Sequence, residues 1–320
     1  MPSPSQPAAL RVAGPRFSPA ASRLIARGLL PIVALVATAA GCTRSAVPYP
    51  GAVLPSTLTA AALAPRAPRI PFSGQLAAEN PHAIFGIAEG EGLTVRPVAG
   101  VEGSASGTLA FNQRGLHLTG RQTALGSSIW VEVVRPEGGT GWVNALNLTE
   151  DVAPQAFCAD PRVLQLLDAT GAAVIKRDGA SLADLTSPRR GLRVRFDWRG
   201  PEVVYSRTDV TRLFQATDPE DWGVHSSGAA IGGSFTEVVL PLLDRAFGPQ
   251  SVLTCDVVGT GSILREVSWP SEYTNMNYYS FYRPAEEGGS EYSWATWLAG
   301  VEYIEGQPYL AILVLLRAGI

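Results

Sequence analysis

Three cysteines and three histidines hold nearly all of the nucleophilic, metal-binding and redox chemistry open to this 320-residue chain. Cys42, Cys158 and Cys255 lie far apart in sequence. No His-x-x-x-His, clustered Cys/His or calcium-loop spacing is present, so neither a metal nor a cofactor is expected. His82 and His117 stand apart from other reactive side chains, whereas His225 lies within Asp221-Trp222-Gly223-Val224-His225-Ser226-Ser227. That run joins an acid, a base and hydroxyls, and with Cys255 it could imitate a cysteine-hydrolase dyad. Adjacency along the chain is not convergence in space, and a polar surface loop has the same composition. There is no Gly-x-Ser-x-Gly elbow and no phosphate loop. Gly232-Gly233 ahead of Ser234 offers backbone amides at a helix start, where an anion could sit unless the serine caps them. No catalytic residue is assigned.

Cys42 has a more specific context. Arg23 and Arg27 precede an apolar run from Leu29 to Ala40, too short to span a bilayer, and Ala39-Ala40-Gly41 lead into the cysteine. The segment resembles the lipobox of bacterial lipoproteins, although Ala39 stands where leucine is usual. The resemblance implies that residues 1–41 are a removable signal and that Cys42 is the lipidation site. It places the chain on the extracytoplasmic face of a cell membrane. Lipidation would leave Cys158 and Cys255 as an even pair in an oxidising compartment, where a disulfide is the expected fate. Such a bond closes a loop of roughly 100 residues, worth at most ~4–5 kcal/mol. Two inert thiols and a reactive Cys255 are the competing readings.

The formal net charge of −3 gives no electrostatic reason to expect nucleic acid. Residues 42–80 form a spacer dense in proline and alanine (Pro48, Pro50, Pro55, Pro65, Pro68, Pro71) that cannot bury a core. From residue 81 to 151 short alternating apolar runs are divided by glycine-containing turns, which predicts a small all-β barrel. Leu93-Thr94-Val95-Arg96, Gly107-Thr108-Leu109, Trp130-Val131-Glu132-Val133 and Gly138-Gly139-Thr140-Gly141-Trp142-Val143-Asn144 resemble the bacterial SH3 family. Pro97-Val98-Ala99-Gly100 replaces that family's usual Gly-Pro-Ser. The resemblance implies a non-catalytic attachment or recognition module, with Trp130, Trp142 and Asn144 as candidate groove residues for cell-wall peptide. Trp130 and Trp142 as ordinary packing is the alternative.

Residues 157–320 read as an α+β domain. A helix is expected from Pro161 to about Arg177, with Val163, Leu164, Leu167, Val174 and Ile175 on one face and a weak point at Gly171. A capping box at Ser181-Leu182-Ala183-Asp184 predicts a short helix. Strands follow at Leu192–Phe196 and Val203–Tyr205, then a helical turn at Thr208–Phe214 and a polar loop at Asp218–Gly233. Ser234-Phe235-Thr236-Glu237 is a second capping box, opening a helix to Phe247 kinked at Pro241. The remainder reads as strands at Val252–Val258, Asn277–Tyr282, Tyr292–Ile304 and Tyr309–Leu316. This order looks like the cone-shaped, nuclear transport factor 2-like fold, which implies a curved antiparallel sheet. Alternation puts Trp294 and Trp297 on opposite faces. One of those faces could line a pocket for a sugar or an apolar ligand, and simple core packing is the alternative.

The sequence therefore predicts a multidomain envelope lipoprotein. Its expected partners are the membrane, through its lipid, and either peptidoglycan or an envelope protein, bound without catalysis. A hydrolase with its pocket in the C-terminal domain is the other reading.

Overall fold

Short alternating strands and one long helix account for most of the ordered backbone. The computed structural model describes residues 47–48, 76–100, 102–225, 227–261 and 267–318. The expected signal segment at 1–41, Cys42 and most of the expected spacer at 42–80 lie outside these residues.

The first strand, β1 Val47–Pro48, is followed by β2 His82–Ile84, β3 Gly92–Val95, β4 Gly107–Ala110, β5 Leu118–Leu125, β6 Ser128–Val134, β7 Thr140–Asn144 and β8 Leu148–Glu150. Strands β2 to β8 pair as three antiparallel ladders, β2 with β8, β3 with β4, and β5-β6-β7, and an Arg96–Trp142 bridge links the second to the third. Their inward residues, among them Ile84, Leu93, Val95, Leu109, Val131, Val133 and Val143, share one apolar core. The expected barrel does not close among the described residues. Residues 111–117 leave the β4 edge and attach to β2 instead. His82 and Leu116 exchange both backbone hydrogen bonds at 2.8 Å, and the Ile84 amide donates to the Gln113 carbonyl at 2.9 Å.

The following helices are α1 Pro154–Ala159, α2 Pro161–Lys176 and α3 Gly179–Leu185, then the hairpin β9 Leu192–Arg195 and β10 Glu202–Tyr205. Next come α4 Arg207–Arg212, the hairpin β11 Glu220–Val224 and β12 Ala230–Gly233, and α5 Phe235–Val238 with α6 Leu240–Ala246. Four strands complete the chain: β13 Val252–Cys255, β14 Tyr278–Arg283, β15 Ala295–Ile304 and β16 Gln307–Arg317. They build a seven-stranded sheet in the order β1-β13-β14-β15-β16-β9-β10. The sheet is mixed, not wholly antiparallel as expected, because β9 lies parallel to β16.

Several local expectations change for identifiable reasons. In α2 the buried stripe is Val163, Leu166, Leu167, Thr170, Gly171, Ala173 and Val174. Leu164 and Ile175 face outward, and Gly171 sits inside the buried stripe without interrupting the helix. Asp178, not Ser181, caps α3, its carboxylate accepting from the Ser181 amide at 3.0 Å. The loop expected at 218–233 is the β11–β12 hairpin, whose Trp222 is fully buried and donates through Nε1 to the Gly233 carbonyl. The helix before Phe247 is broken at Val239, the residue two before Pro241.

The described residues pack as one compact unit. One face of the large sheet, with Phe281, Trp297, Val301 and Leu313, is covered by the helices. The other face, with Tyr278, Trp294, Leu298 and Val314, receives Phe85 from β2's end. A sheet buried on both faces reads as long unbroken apolar runs, as Leu310 to Leu316 does.

Candidate functional site: a cleft at the seam

Cys158 and Cys255 are disulfide-bonded, with Cα atoms 5.8 Å apart, so α1 is tied to β13. The bond removes the thiolate that a Cys255–His225 dyad needs, and His225 is exposed in the turn between β11 and β12. The Ser234 amide and hydroxyl both bond the Glu237 carboxylate, at 2.8 and 3.0 Å. That reciprocal cap occupies the groups an anion at Gly232-Gly233 would need. Among the described residues no group of three or more His, Cys, Asp or Glu side chains could hold a metal.

The candidate groove residues lie in register: Trp130 is opposite Asn144, and Glu132 is opposite Trp142. They form the face of β6 and β7 turned away from Val131 and Val133. Trp130 and Trp142 are only 6% and 9% exposed. The Arg121 guanidinium lies over the Trp142 ring and donates to Glu132. The Asn144 carboxamide oxygen accepts from the Leu146 amide, capping the turn at Ala145–Asn147. Trp294 and Trp297 are each 1% exposed, on opposite faces of the sheet, so neither indole presents a surface to solvent.

The polar chemistry collects instead where the small strands meet the large sheet. Asn275 donates to the Ile84 and Phe111 carbonyls at 2.8 and 3.0 Å, and the Gly86 amide to the Glu272 carbonyl at 2.8 Å. Arg190 donates to the carbonyls of Leu146 and Leu148, lies 3.8 Å over the Phe85 ring, and pairs with Glu302. Burial pulls the Arg190 and Arg189 guanidiniums below their ordinary range, Arg189 to about 10. His82 is fully buried here, and burial depresses its pKa to about 4.

At one end of this seam is an open cleft of about 480 Å³. Trp198 enters it from the β9–β10 turn, which the Gly200 amide closes on the Asp197 carbonyl at 2.8 Å. Trp269 enters from the segment before a 3₁₀ turn at Ser271–Tyr273, its Nε1 donating to the Tyr273 carbonyl at 2.7 Å. Against Trp269 lies Gly300, where a Cβ would meet the indole at 2.9 Å, so glycine there leaves room for the ring. Phe111 completes the aromatic lining, and Glu89 supplies a carboxylate beside the hydroxyls of Ser271 and Thr274. The Glu89 amide donates to Ser271 Oγ at 3.2 Å, joining the two walls.

Trp269 opens a stretch dense in aromatic residues, with Tyr273, Tyr278, Tyr279, Phe281 and Tyr282, whereas Trp198 and Phe111 lie outside it. Asp197-Trp198-Arg199-Gly200, a bulky aromatic in a polar turn, is the signal that could have found Trp198.

The fold and cleft define a mixed α and β protein with an open concave surface between two packed β assemblies. Compared with known families and characterised proteins, the chain matches no family model and no curated protein.

Proposed function

We propose that this chain is an envelope lipoprotein, anchored through Cys42, whose folded part binds a component of the cell envelope without transforming it. The observation that carries the reading is the Cys158–Cys255 disulfide. It suits an oxidising compartment and leaves Cys42, behind its signal-like run, as the one remaining cysteine of the sequence. Two acyl chains on that residue would give a stable anchor where one is marginal.

The β2–β8 strands are read as an SH3-like recognition module on sequence motif. The order of long helix, short helix, hairpin, helices and a final four-strand run supports a nuclear transport factor 2-like reading of residues 157–320. The seam cleft is the binding surface we favour, because its aromatic side chains are half-exposed where those of the predicted groove are packed away.

The test is retention of isolated cell-envelope material by the purified chain beginning at Cys42. Binding without turnover of the retained material supports the reading. Release of soluble fragments from cell wall would replace the binder with an enzyme.

A further inference from the structure

We infer that the seam cleft is a saccharide-binding site, with Trp198 and Trp269 as stacking platforms. The inference rests on the binding role proposed above and names the ligand class for it.

Three features select this class. The first is the pairing of aromatic faces with hydroxyl and carboxylate groups. A sugar ring has apolar C–H faces that pack on an indole and peripheral hydroxyls that need hydrogen-bonding partners. Glu89, Ser271 and Thr274 supply those partners at the rim of the aromatic floor.

The second feature is charge. The lining carries one carboxylate, Glu89, and one guanidinium, Arg199, so it has no formal net charge. The Arg199 guanidinium lies 4.3 Å from the centroid of the Trp198 ring, already stacked on an aromatic face. Beside the cleft Arg195 is paired with Glu272. A strongly acidic or basic peptide would meet no complementary field here, whereas a neutral polyhydroxylated chain would meet no repulsion.

The third feature is shape: the cleft is open, and it fits an extended chain laid across it.

The experiment uses the full mature chain with chitotetraose and cellotetraose as neutral probes, followed by titration calorimetry and tryptophan fluorescence. Saturable binding of at least one probe is expected. Trp198→Ala should weaken it roughly tenfold or more, the effect of losing about 1.4 kcal/mol of stacking. Glu89→Gln, at an exposed side chain, provides a variant that does not endanger folding, and it should weaken binding severalfold with an unchanged melting temperature. Failure of both probes to bind at millimolar concentration overturns the inference, as does binding indifferent to both substitutions. Envelope retention separates the two levels of the argument. If envelope material is retained equally by wild type and Trp198→Ala, the saccharide site is wrong and the binding role survives. If neither probe nor envelope is retained, both fall together.

Discussion

Arg190 donates through Nε to a Glu302 oxygen at 2.8 Å, and neither side chain has any solvent exposure. Glu302 also accepts from the Ser187 hydroxyl, while Arg190 Nη1 and Nη2 donate to the carbonyls of Leu146 and Leu148. The pair therefore joins β15 to the strand β8 across the seam. Taking two charges out of water is expensive, and this geometry offsets the cost only while every partner remains. Glu302→Ala should destabilise the protein by about 3–5 kcal/mol, because Arg190 is left buried without its counter-charge. Replacing both, as Arg190→Met with Glu302→Leu, should recover much of that loss. Chemical denaturation of the two variants measures both effects, and a harmless single substitution would show that the pair is not holding the seam.

The disulfide spans a separation of 97 residues. Closing so long a loop in the unfolded chain predicts a stabilisation of up to ~4–5 kcal/mol. The double variant Cys158→Ser with Cys255→Ser should unfold at correspondingly lower denaturant. Equal midpoints for oxidised and reduced protein would contradict this.

His82 gives a pH dependence with a definite sign. Its neutral ring is buried, and its pKa falls from 6.5 to about 4. Burial is the main cause. The nearby Arg189 charge acts in the same direction, whereas the Asn80 backbone and the carboxylates of Asp151 and Glu79 oppose it. The unfolded chain thus binds the proton more readily than the folded one. Its contribution is complete above pH ~6.5, is lost as pH falls towards 4, and changes no further below that, for a total of ~3 kcal/mol. Glu150, opposite His82 in the ladder, has its pKa raised by burial, so its own effect runs the other way. Denaturation between pH 4 and 7 should show a shallower slope in His82→Gln than in wild type.

Much of this architecture was legible in the sequence, and the exceptions have physical causes. The strand pattern, the Ser234 cap, the α2 span and the cysteine pairing all follow from periodicity, capping chemistry and cysteine count, which are local or compositional signals. The parallel placement of β9 beside β16 was not legible, because it depends on contacts more than 100 residues apart. The open barrel edge was missed for a related reason: residues 113–116 look like a loop until β2 arrives to pair with them. The aromatic residues chosen for binding were dense in sequence. Density marks a core as readily as a ligand site, and Trp294 and Trp297 are core. The cleft tryptophan, Trp198, comes from an isolated turn that only the packing of the two β assemblies makes concave.

Gly300→Ala tests how the sheet seats the cleft. The new methyl would press on Trp269 at 2.9 Å and on the Met276 sulfur at 3.0 Å. Overpacking of this kind costs ~1–3 kcal/mol. The Trp269 ring should tilt away, changing tryptophan fluorescence and weakening saccharide binding while Trp198 is untouched. Unchanged emission and affinity would mean that Gly300 does not set the ring.

The central claim is an anchored envelope protein, and it is tested most directly by the mass of the N-terminal peptide of the native protein. The account predicts a peptide beginning at Cys42 and carrying acyl chains, recovered from the membrane fraction. Cys42→Ser should abolish that species and leave the protein unprocessed or released. An unmodified Cys42 inside a longer soluble chain would contradict the account.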